Sequence, residues 1–345
     1  MGEKHTVRFE PMGIEIEVDE DQNILRGAAE QGITLMHGCK EGQCASCKSF
    51  VLDGEDPELE RYSTFALNDT EQEEGYTLLC RAHVYEDTTI ELLNYDEEMM
   101  RSGHPIQEAK GEVVANDKVT HDLRHLVLKL VEPEEVKYWP GQYVDITIPD
   151  TDTIRSFSMA NTNSKDSGQL EFVIKVYEDG AFSKFLDTKV QVGDHLDLVG
   201  PFGVFTLRER DCDLLFVGGG AGMAPILCLL RRLAESESTR KATFYYGART
   251  KADLCFEDEL RALEQKLPNF TYVPALSEPS DDDWDGETGV ITDVVKKHET
   301  DLADTDSYLC GPPPMVEAAM EMLPALGADE KHIFYDKFTT TGTAT

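Results

Sequence analysis

The sequence predicts three domains in a row: a small α+β unit, an antiparallel β-barrel, and an α/β unit on a parallel sheet. Three observations lead there. At 345 residues the chain is too long for one ordinary core. Between about 111 and 208, short apolar runs alternate with turn residues at close intervals, as the strands of a small antiparallel barrel do. From about 211 strand patterns alternate with helical ones, which requires a parallel sheet. An apolar content of 40% and a charged content of 29% mark a globular chain rather than a disordered one.

The elements follow in order. VRFEPMGIEIEV alternates apolar and polar residues around a turn at Pro11–Gly13, a hairpin signal. NILRGAAEQGI has helical spacing and a stop at Gly32. KSFVLDG and TTIELLNY read as strands, and the charged, Gly/Pro-punctuated stretch 96–111 reads as a linker. GEVVAND, RHLVLKLV, QYVDITIP, RSFSMAN, LEFVIKVYE and DHLDLVGPFG are the expected barrel strands. DLLFVGGGAG, ATFYYGAR, FTYVPALS, DSYLCGPPPM and HIFYDKF are the expected strands of the last domain. Helices APILCLLRRLAE, FEDELRALEQKL, TDVVKKHE and MVEAAMEMLPALG lie between them.

Charge excludes some partners. The formal net charge is -35, from 67 acidic and 32 basic residues. Binding to nucleic acid or to anionic lipid relies on Lys and Arg neutralising phosphate, so neither is expected. The first hundred residues carry roughly three times as many Asp/Glu as Lys/Arg. That face suits a protein partner with a basic patch, although an acid excess also serves solubility alone. The N-terminus MGEKHTVRFEPMG lacks the apolar core of a secretory signal. The most apolar run, LLFVGGGAGMAPILCLL at 214–230, is interrupted by glycine and Pro225 and is short for a bilayer span. A reducing cytoplasm is therefore expected, where eight cysteines serve as metal ligands or core thiols rather than disulfides.

The stretch CKEGQCASC, 39–47, carries the sharpest signal. Cys39-x4-Cys44-x2-Cys47, with Cys80 some thirty residues on, matches the plant-type 2Fe-2S spacing. Two irons share bridging sulfides and each needs two thiolates. One tight loop supplies three, and a distant segment closes the fourth corner. The small residues Gly42, Ala45 and Ser46 let backbone N–H groups reach the sulfurs. A structural zinc site would usually show two Cys-x2-Cys pairs, and the first spacing here is four. Cys212, Cys228 and Cys255 sit in apolar contexts and read as core thiols.

Weaker signals follow. Arg155, Ser156, Phe157 and Ser158 lie on one barrel strand, Arg155 and Phe157 on one face and the serines on the other. A guanidinium can hold a pyrophosphate, an aromatic ring can lie on an isoalloxazine, and a hydroxyl can bond a flavin nitrogen. Gly180-Ala181-Phe182-Ser183 opens a short helix that offers N–H groups to phosphate. Gly200-Pro201-Phe202-Gly203 turns at the end of the barrel. The run Gly218-Gly219-Gly220-Ala221-Gly222 follows an apolar strand and opens a helix, a setting for pyrophosphate. No register gives Gly-x-Gly-x-x-Gly, and the next strand ends in Tyr246-Gly247-Ala248-Arg249 without an acid, which disfavours a Rossmann dehydrogenase. Cys310-Gly311-Pro312-Pro313 ends a later strand at the carboxyl edge, where such sheets bind ligands. His121 and His125 read as surface residues, and no Glu-x-x-His pair or His-Glu-x-x-His marks an oxygen-activating metal site.

Together with Phe334-Tyr335-Asp336-Lys337-Phe338, these motifs resemble the ferredoxin–NADP reductase superfamily. Their order looks like the reductase components of soluble methane, propane and related diiron monooxygenases, and the resemblance covers nearly the whole chain. It implies a β-grasp-like ferredoxin domain at 1–100, a linker at 101–110, an FAD barrel at 111–209 and an NAD(P)H domain at 210–345. It implies flavin phosphates on Arg155 and Ser183, with Gly180 and Phe182 beside them. It implies Phe157 stacked on the flavin, Ser156 and Ser158 nearby, and Ser158 bonded near N5. Gly218, Gly219, Gly220 and Gly222 would take the NADH pyrophosphate. Cys310, with Gly311 and Pro312, would face the nicotinamide, and Phe338 would cover the flavin until nicotinamide arrives. Ser158, Cys310 and Phe338 are thus the candidate catalytic residues. Phe157 departs from the tyrosine usual in the family, which removes a phenol hydrogen bond but keeps stacking.

The implied activity is hydride transfer from NADH to FAD, then single electrons through the cluster to an oxygenase, with a small regulatory protein as a further partner. A reductase for a Rieske-type ring-hydroxylating dioxygenase shares these domain types. A non-catalytic electron-storage protein is the rival from another class, and the intact glycine run and Cys-Gly-Pro-Pro speak against it. Arg249 and Lys251 could hold a 2′-phosphate, but they read better as solvated turn residues, and Asp253 opposes it, so NADH is expected over NADPH.

Overall fold

A computed structural model describes residues 2–164, 168–279 and 283–338. The last residues expected in the third domain, 339–345, lie outside them. The chain divides into two compact units, Met1–Glu108 with Val199–Val204, and Ala109–Leu198 with Phe205–Thr345.

In the first unit the alternating N-terminal pattern becomes the hairpin β1 (Lys4–Glu10) and β2 (Ile14–Asp19), with Val7 opposite Ile16 and Phe9 opposite Ile14. Val7, Phe9, Ile16 and Val18 all face the core. Helix α1 (Ile24–Glu30) starts at Asn23, whose side chain accepts from the Arg26 N–H, the usual way an exposed first-turn donor is satisfied. Strands β3 (Lys48–Asp53), β4 (Glu58–Leu59), β5 (Tyr76–Leu78), β6 (Ala82–His83) and β7 (Thr88–Leu92) follow, with helix α2 (Asp69–Glu73) between β4 and β5. The main sheet runs β2-β1-β7-β3-β5, and the β1–β7 pair is parallel. Cys47 and Cys80 belong to its apolar core.

The stretch read as an aperiodic linker is partly ordered. Residues Glu97–Ser102 form α3, begun by Asp96 accepting from the Met99 N–H, and Met100 is fully buried in the core of this unit. A six-residue helix anchored by one apolar pair is too short to show periodicity among so many charges.

The six expected barrel strands all form: β8 (Gln107–Lys118), β9 (Leu123–Glu132), β10 (Tyr143–Thr147), β11 (Ile154–Ser158), β12 (Gln169–Lys175) and β13 (His195–Phe202). Helix α4 (Ala181–Thr188) interrupts them before β13. The sheet order β11-β10-β13-β8-β9-β12 brings its edges together, and a bridge between Met159 and Phe172 nearly closes the barrel. Val113, Leu126, Leu128, Ile146 and Phe172 fill its interior.

The last domain comprises β14 (Asp213–Gly219), α5 (Met223–Glu235), β15 (Ala242–Ala248), α6 (Glu257–Lys266), β16 (Phe270–Leu276), β17 (Glu287–Thr288), α7 (Ile291–His298), β18 (Thr305–Gly311), α8 (Pro313–Met322) and β19 (Ile333–Lys337). The sheet is parallel, in the order β17-β16-β15-β14-β18-β19. Leu214 to Val217 are all buried, as a strand covered by helices on both faces requires. The chain runs outward from β14 to one side and returns to its other side at β18. That reversal opens a crevice at the carboxyl ends of these two strands.

A polar cluster ties β12 and β9 of the barrel to α5 and α6. Arg231 reaches Glu259 (2.7 and 2.9 Å), Glu171 (2.9 Å) and the Ala160 carbonyl (3.0 Å). His125, read from sequence as a surface residue, is half-buried and lies 3.3 Å from Glu171. Burial pushes the Glu171 carboxyl up, but His125 and Arg231 outweigh it and bring it down to about 2. A depressed carboxylate stabilises fully above its unfolded value, and that contribution is lost as pH falls from about 4.5 through about 2. Replacing Arg231 by methionine leaves Glu171 and Glu259 without the guanidinium that joins them. We expect a loss of about 2–3 kcal/mol, below the usual figure for a buried pair because both acids keep some water. Urea unfolding of the variant at neutral pH checks this, and the deficit should shrink towards pH 3.

Candidate functional site

The cysteine loop is held open by backbone in the left-handed region. Lys40 (φ 56°) and Ala45 (φ 60°) adopt it despite their side chains, and Gly42 (φ 67°) lies so close to Tyr62 that a Cβ would sit 2.7 Å from the Tyr62 Cβ. Such strain persists where the surroundings impose it, often at functional sites. Here it turns N–H groups inward. Glu41 and Gln43 donate to the Cys39 sulfur (3.4 and 3.2 Å), and Cys39 donates to the Cys44 sulfur (3.3 Å).

The four thiols fall into two pairs. A hydrogen bond from Cys39 holds the Cys44 thiol down at about 4, and Cys39 is itself pushed up. Cys80 lowers Cys47 in the same way and is raised in turn. The charges of Cys39 and Cys44 also act on Cys47, so the pairs adjoin. Among the described residues, no three of these sulfurs lie within 4.8 Å of one another. Four ligands on one tetrahedral zinc would be about 3.8 Å apart. Two thiol pairs with inward N–H donors fit two irons instead.

In the second unit, the barrel places one group of candidates on β11 and α4. Arg155 donates to the Ile154 carbonyl (2.7 Å), and among the described residues no carboxylate pairs with it. An unpaired guanidinium in so acidic a chain suits an anionic ligand. Ser156 is exposed and donates to Asp145 (2.6 Å), whereas Ser158 is buried. Phe157 packs on Phe182 with ring centroids 4.5 Å apart, so one neighbour fixes its orientation. Gly180 begins α4 without a side-chain cap, leaving the first N–H groups open to a phosphate. Ser183 accepts from the Tyr177 N–H (2.9 Å), and its own hydroxyl proton stays available.

The other group gathers at the crevice of the parallel sheet. Gly218 lies beside Cys310, and Cys310 beside Asp336. The turn Gly220–Gly222 leads directly into α5 and runs against β12 of the barrel. A Cβ on Gly222 would lie 2.0 Å from the Cys310 carbonyl oxygen, whereas one on Gly220 (φ 55°) would meet nothing within 4 Å. The Phe338 N–H donates to the Gly311 carbonyl (3.1 Å). Cys310 is fully buried and burial pushes its thiol far up, so it is a neutral wall rather than a nucleophile. Pro312 caps α8.

Sequence reasoning missed two members of this group. Burial pushes the Asp336 carboxyl up to about 6, beside Cys310. The Tyr246 hydroxyl donates to the Gly220 carbonyl (3.2 Å). Tyr246 lies in the strand ATFYYGAR and Asp336 in the motif Phe334–Phe338, and neither pattern singles the residue out. Arg249 and Lys251 are exposed, and Asp253 is engaged by the Thr250 N–H (2.8 Å) and by His121 (3.1 Å). Lys251 also borders a cavity of about 610 Å³ with Glu257, Tyr272 and Trp284, which no sequence motif marked.

The comparisons follow the same order along the chain. A 2Fe-2S iron-sulfur cluster binding domain matches residues 7–85, an oxidoreductase FAD-binding domain 110–207, and an oxidoreductase NAD-binding domain 216–321. The reductase component of propane 2-monooxygenase from Mycolicibacterium smegmatis is 51% identical over 99% of both chains. The electron transfer component of anthranilate 1,2-dioxygenase from Acinetobacter baylyi is 33% identical over 95% of both. The crystal structure of an Amycolatopsis cytochrome P450 reductase superposes with a TM-score of 0.89, at 27% identity, covering 97% of this chain and 99% of that one. Among the described residues no helix is long and apolar enough to cross a membrane. Its three domains matched in sequence and its likeness to such relatives running end to end, the chain belongs to the family of monooxygenase reductase components, NAD(P)H-dependent oxidoreductases with FAD and 2Fe-2S domains.

Proposed function

We propose that this chain takes hydride from NADH and delivers single electrons to the hydroxylase of a propane-oxidising diiron monooxygenase. The observation that carries this reading is the 51% identity, over 99% of both chains, to a propane 2-monooxygenase reductase component. Identity falls to 33% for the dioxygenase component, which makes the Rieske partner the second choice. The domains divide as 1–100, 101–110, 111–209 and 210–345.

Each set of residues has a task. Cys39 and Cys44 hold one iron, and Cys47 and Cys80 the other, as the thiol pairing supports. Arg155, Gly180 and Ser183 bind flavin phosphate. Phe157, steadied by Phe182, lies on the ring, Ser158 bonds its edge, and Ser156 stands beside them. Gly218, Gly219, Gly220 and Gly222 receive the dinucleotide pyrophosphate. Cys310, Gly311 and Pro312 wall the nicotinamide side, and Phe338 gives way when nicotinamide enters. When bound, the flavin converts a two-electron donor into one-electron deliveries and the cluster relays them. Asp253, two residues along the chain from Lys251, and Glu257, which lines the same cavity as Lys251, oppose a 2′-phosphate, which favours NADH. The acidic first unit docks on a basic surface of the hydroxylase, with a small regulatory protein able to join, and no nucleic acid or membrane is involved.

The test is a visible spectrum of the purified protein before and after anaerobic NADH. Flavin and iron–sulfur bands that both bleach are expected, followed by turnover with a diiron hydroxylase and not with a Rieske oxygenase. A colourless zinc protein would sink the assignment.

A further inference from the structure

The side chain of Tyr246 is fully buried in an apolar cluster with Phe244, Leu260 and Tyr272. A hydroxyl costs free energy in such a place unless it is hydrogen-bonded, and phenylalanine would pack there as well. The hydroxyl has two partners: the Gly220 carbonyl at 3.2 Å and the Cys255 thiol at 3.3 Å. Tyr246 thus joins the glycine turn to the segment that leads into α6.

The carbonyl of Gly220 shares a peptide plane with the Ala221 N–H. In a trans peptide the two point in opposite directions. Holding the carbonyl inward therefore turns the Ala221 N–H outward. A Cβ at Gly220 would meet nothing within 4 Å, so there is room beside this residue for a ligand to reach the backbone. Gly220 itself has φ 55°, a conformation the chain leaves easily unless something holds it, and its carbonyl has two holds, the Met223 N–H and the Tyr246 hydroxyl.

We propose that Tyr246 is a positioning residue for NADH: its hydroxyl fixes the Gly220–Ala221 peptide so that the turn presents an N–H to the pyrophosphate. This rests on the reading that the glycine turn is the pyrophosphate site. The effect belongs to dinucleotide binding, not to the hydride step, because the hydroxyl's hydrogen-bond partners, Gly220 and Cys255, are not among the residues assigned to the nicotinamide wall.

The test compares wild-type and Tyr246→Phe holoenzyme in steady-state ferricyanide reduction. Two donors are used: NADH, and 1-benzyl-1,4-dihydronicotinamide, which has no pyrophosphate. Losing one neutral hydrogen bond predicts a KM for NADH raised roughly 2- to 13-fold, with kcat unchanged. The KM for the benzyl donor should not move. An unchanged KM for NADH would overturn the proposal, and so would equal rises for both donors, which mark a general structural loss. Gly220→Asp separates the two readings. Aspartate tolerates the left-handed region, and its carboxylate would face the open side and repel a pyrophosphate. If Gly220→Asp raises the KM for NADH and Tyr246→Phe does not, only the role of Tyr246 fails. If Gly220→Asp also leaves it unmoved, the glycine turn is not the pyrophosphate site and both readings fall.

Discussion

Replacing Cys47 by serine is expected to give a protein that still accepts hydride from NADH but supports no hydroxylation. Cys47 is 5% exposed and sits in the core of the first unit, next to Cys80. Its thiol is lowered by the hydrogen bond from Cys80, which favours the thiolate form that iron binds. Serine keeps the size, but its hydroxyl stays protonated and is a harder, weaker ligand for iron. One lost ligand leaves an iron with a single thiolate from its pair, and the iron–sulfur absorbance should disappear. Apart from the end of β13, the barrel and the parallel sheet belong to the other unit, so NADH-driven ferricyanide reduction through the flavin should keep its wild-type rate. Cys212→Ala serves as the control. That thiol lies in the second unit beside Arg240, 3.1 Å away, and its removal should leave both chromophores in place. Iron and sulfide analysis with the two assays decides the matter. A Cys47→Ser protein that retains its iron–sulfur bands would remove Cys47 from the ligand set.

The contrast between those two cysteines shows what the sequence could reveal. Cys39, Cys44 and Cys47 are local ligands whose spacing is dictated by the geometry of what they hold, so the spacing is readable. Strands are readable for a similar reason: the pattern around Pro11–Gly13 or in Leu214–Val217 reflects burial of nearby residues. What escaped are contacts between distant segments. Glu171, Arg231 and His125 look like ordinary charges on three separate elements until the fold brings them within 3.3 Å. Strand order is equally silent, since nothing in β14 announces that β18, some ninety residues later, will lie beside it. Tyr246 was hidden by its surroundings. In a run of apolar strand residues, an aromatic side chain reads as core, and only the 3.2 Å approach to Gly220 distinguishes its hydroxyl. The linker reading passed over α3 because this helix is held by one apolar pair, Met99 and Met100, inside a charged stretch.

The glycine run yields the second large effect, because two of its members are glycine for opposite reasons. Gly220 has φ 55° and open space around its missing side chain. Alanine there would cost about 1–2 kcal/mol of backbone strain and fit otherwise. Gly222 has φ -59° and ψ -10°, a conformation open to any residue, so backbone strain gives no reason for glycine. Space gives one. A Cβ would stand 2.0 Å from the Cys310 oxygen, 2.4 Å from the Cys310 carbon and 2.8 Å from the Gly311 nitrogen. All three are backbone atoms of β18, a strand paired on both sides, and no flexible side chain can yield. Gly222→Ala must therefore push the turn and the start of α5 away from Cys310, by something on the order of 1 Å. A displacement of that size at a binding constellation costs roughly 100-fold in rate. We expect kcat/KM for NADH to fall by about that factor, with the iron–sulfur spectrum of the first unit unchanged. The loss should appear for the benzyl donor as well, because the same shift moves the wall proposed to face nicotinamide. That outcome separates Gly222 from Tyr246, whose loss spares the truncated donor. Wild-type kinetics in Gly222→Ala would mean that β18 and the glycine turn do not approach as closely in solution as the 2.0 Å clash of an added Cβ requires.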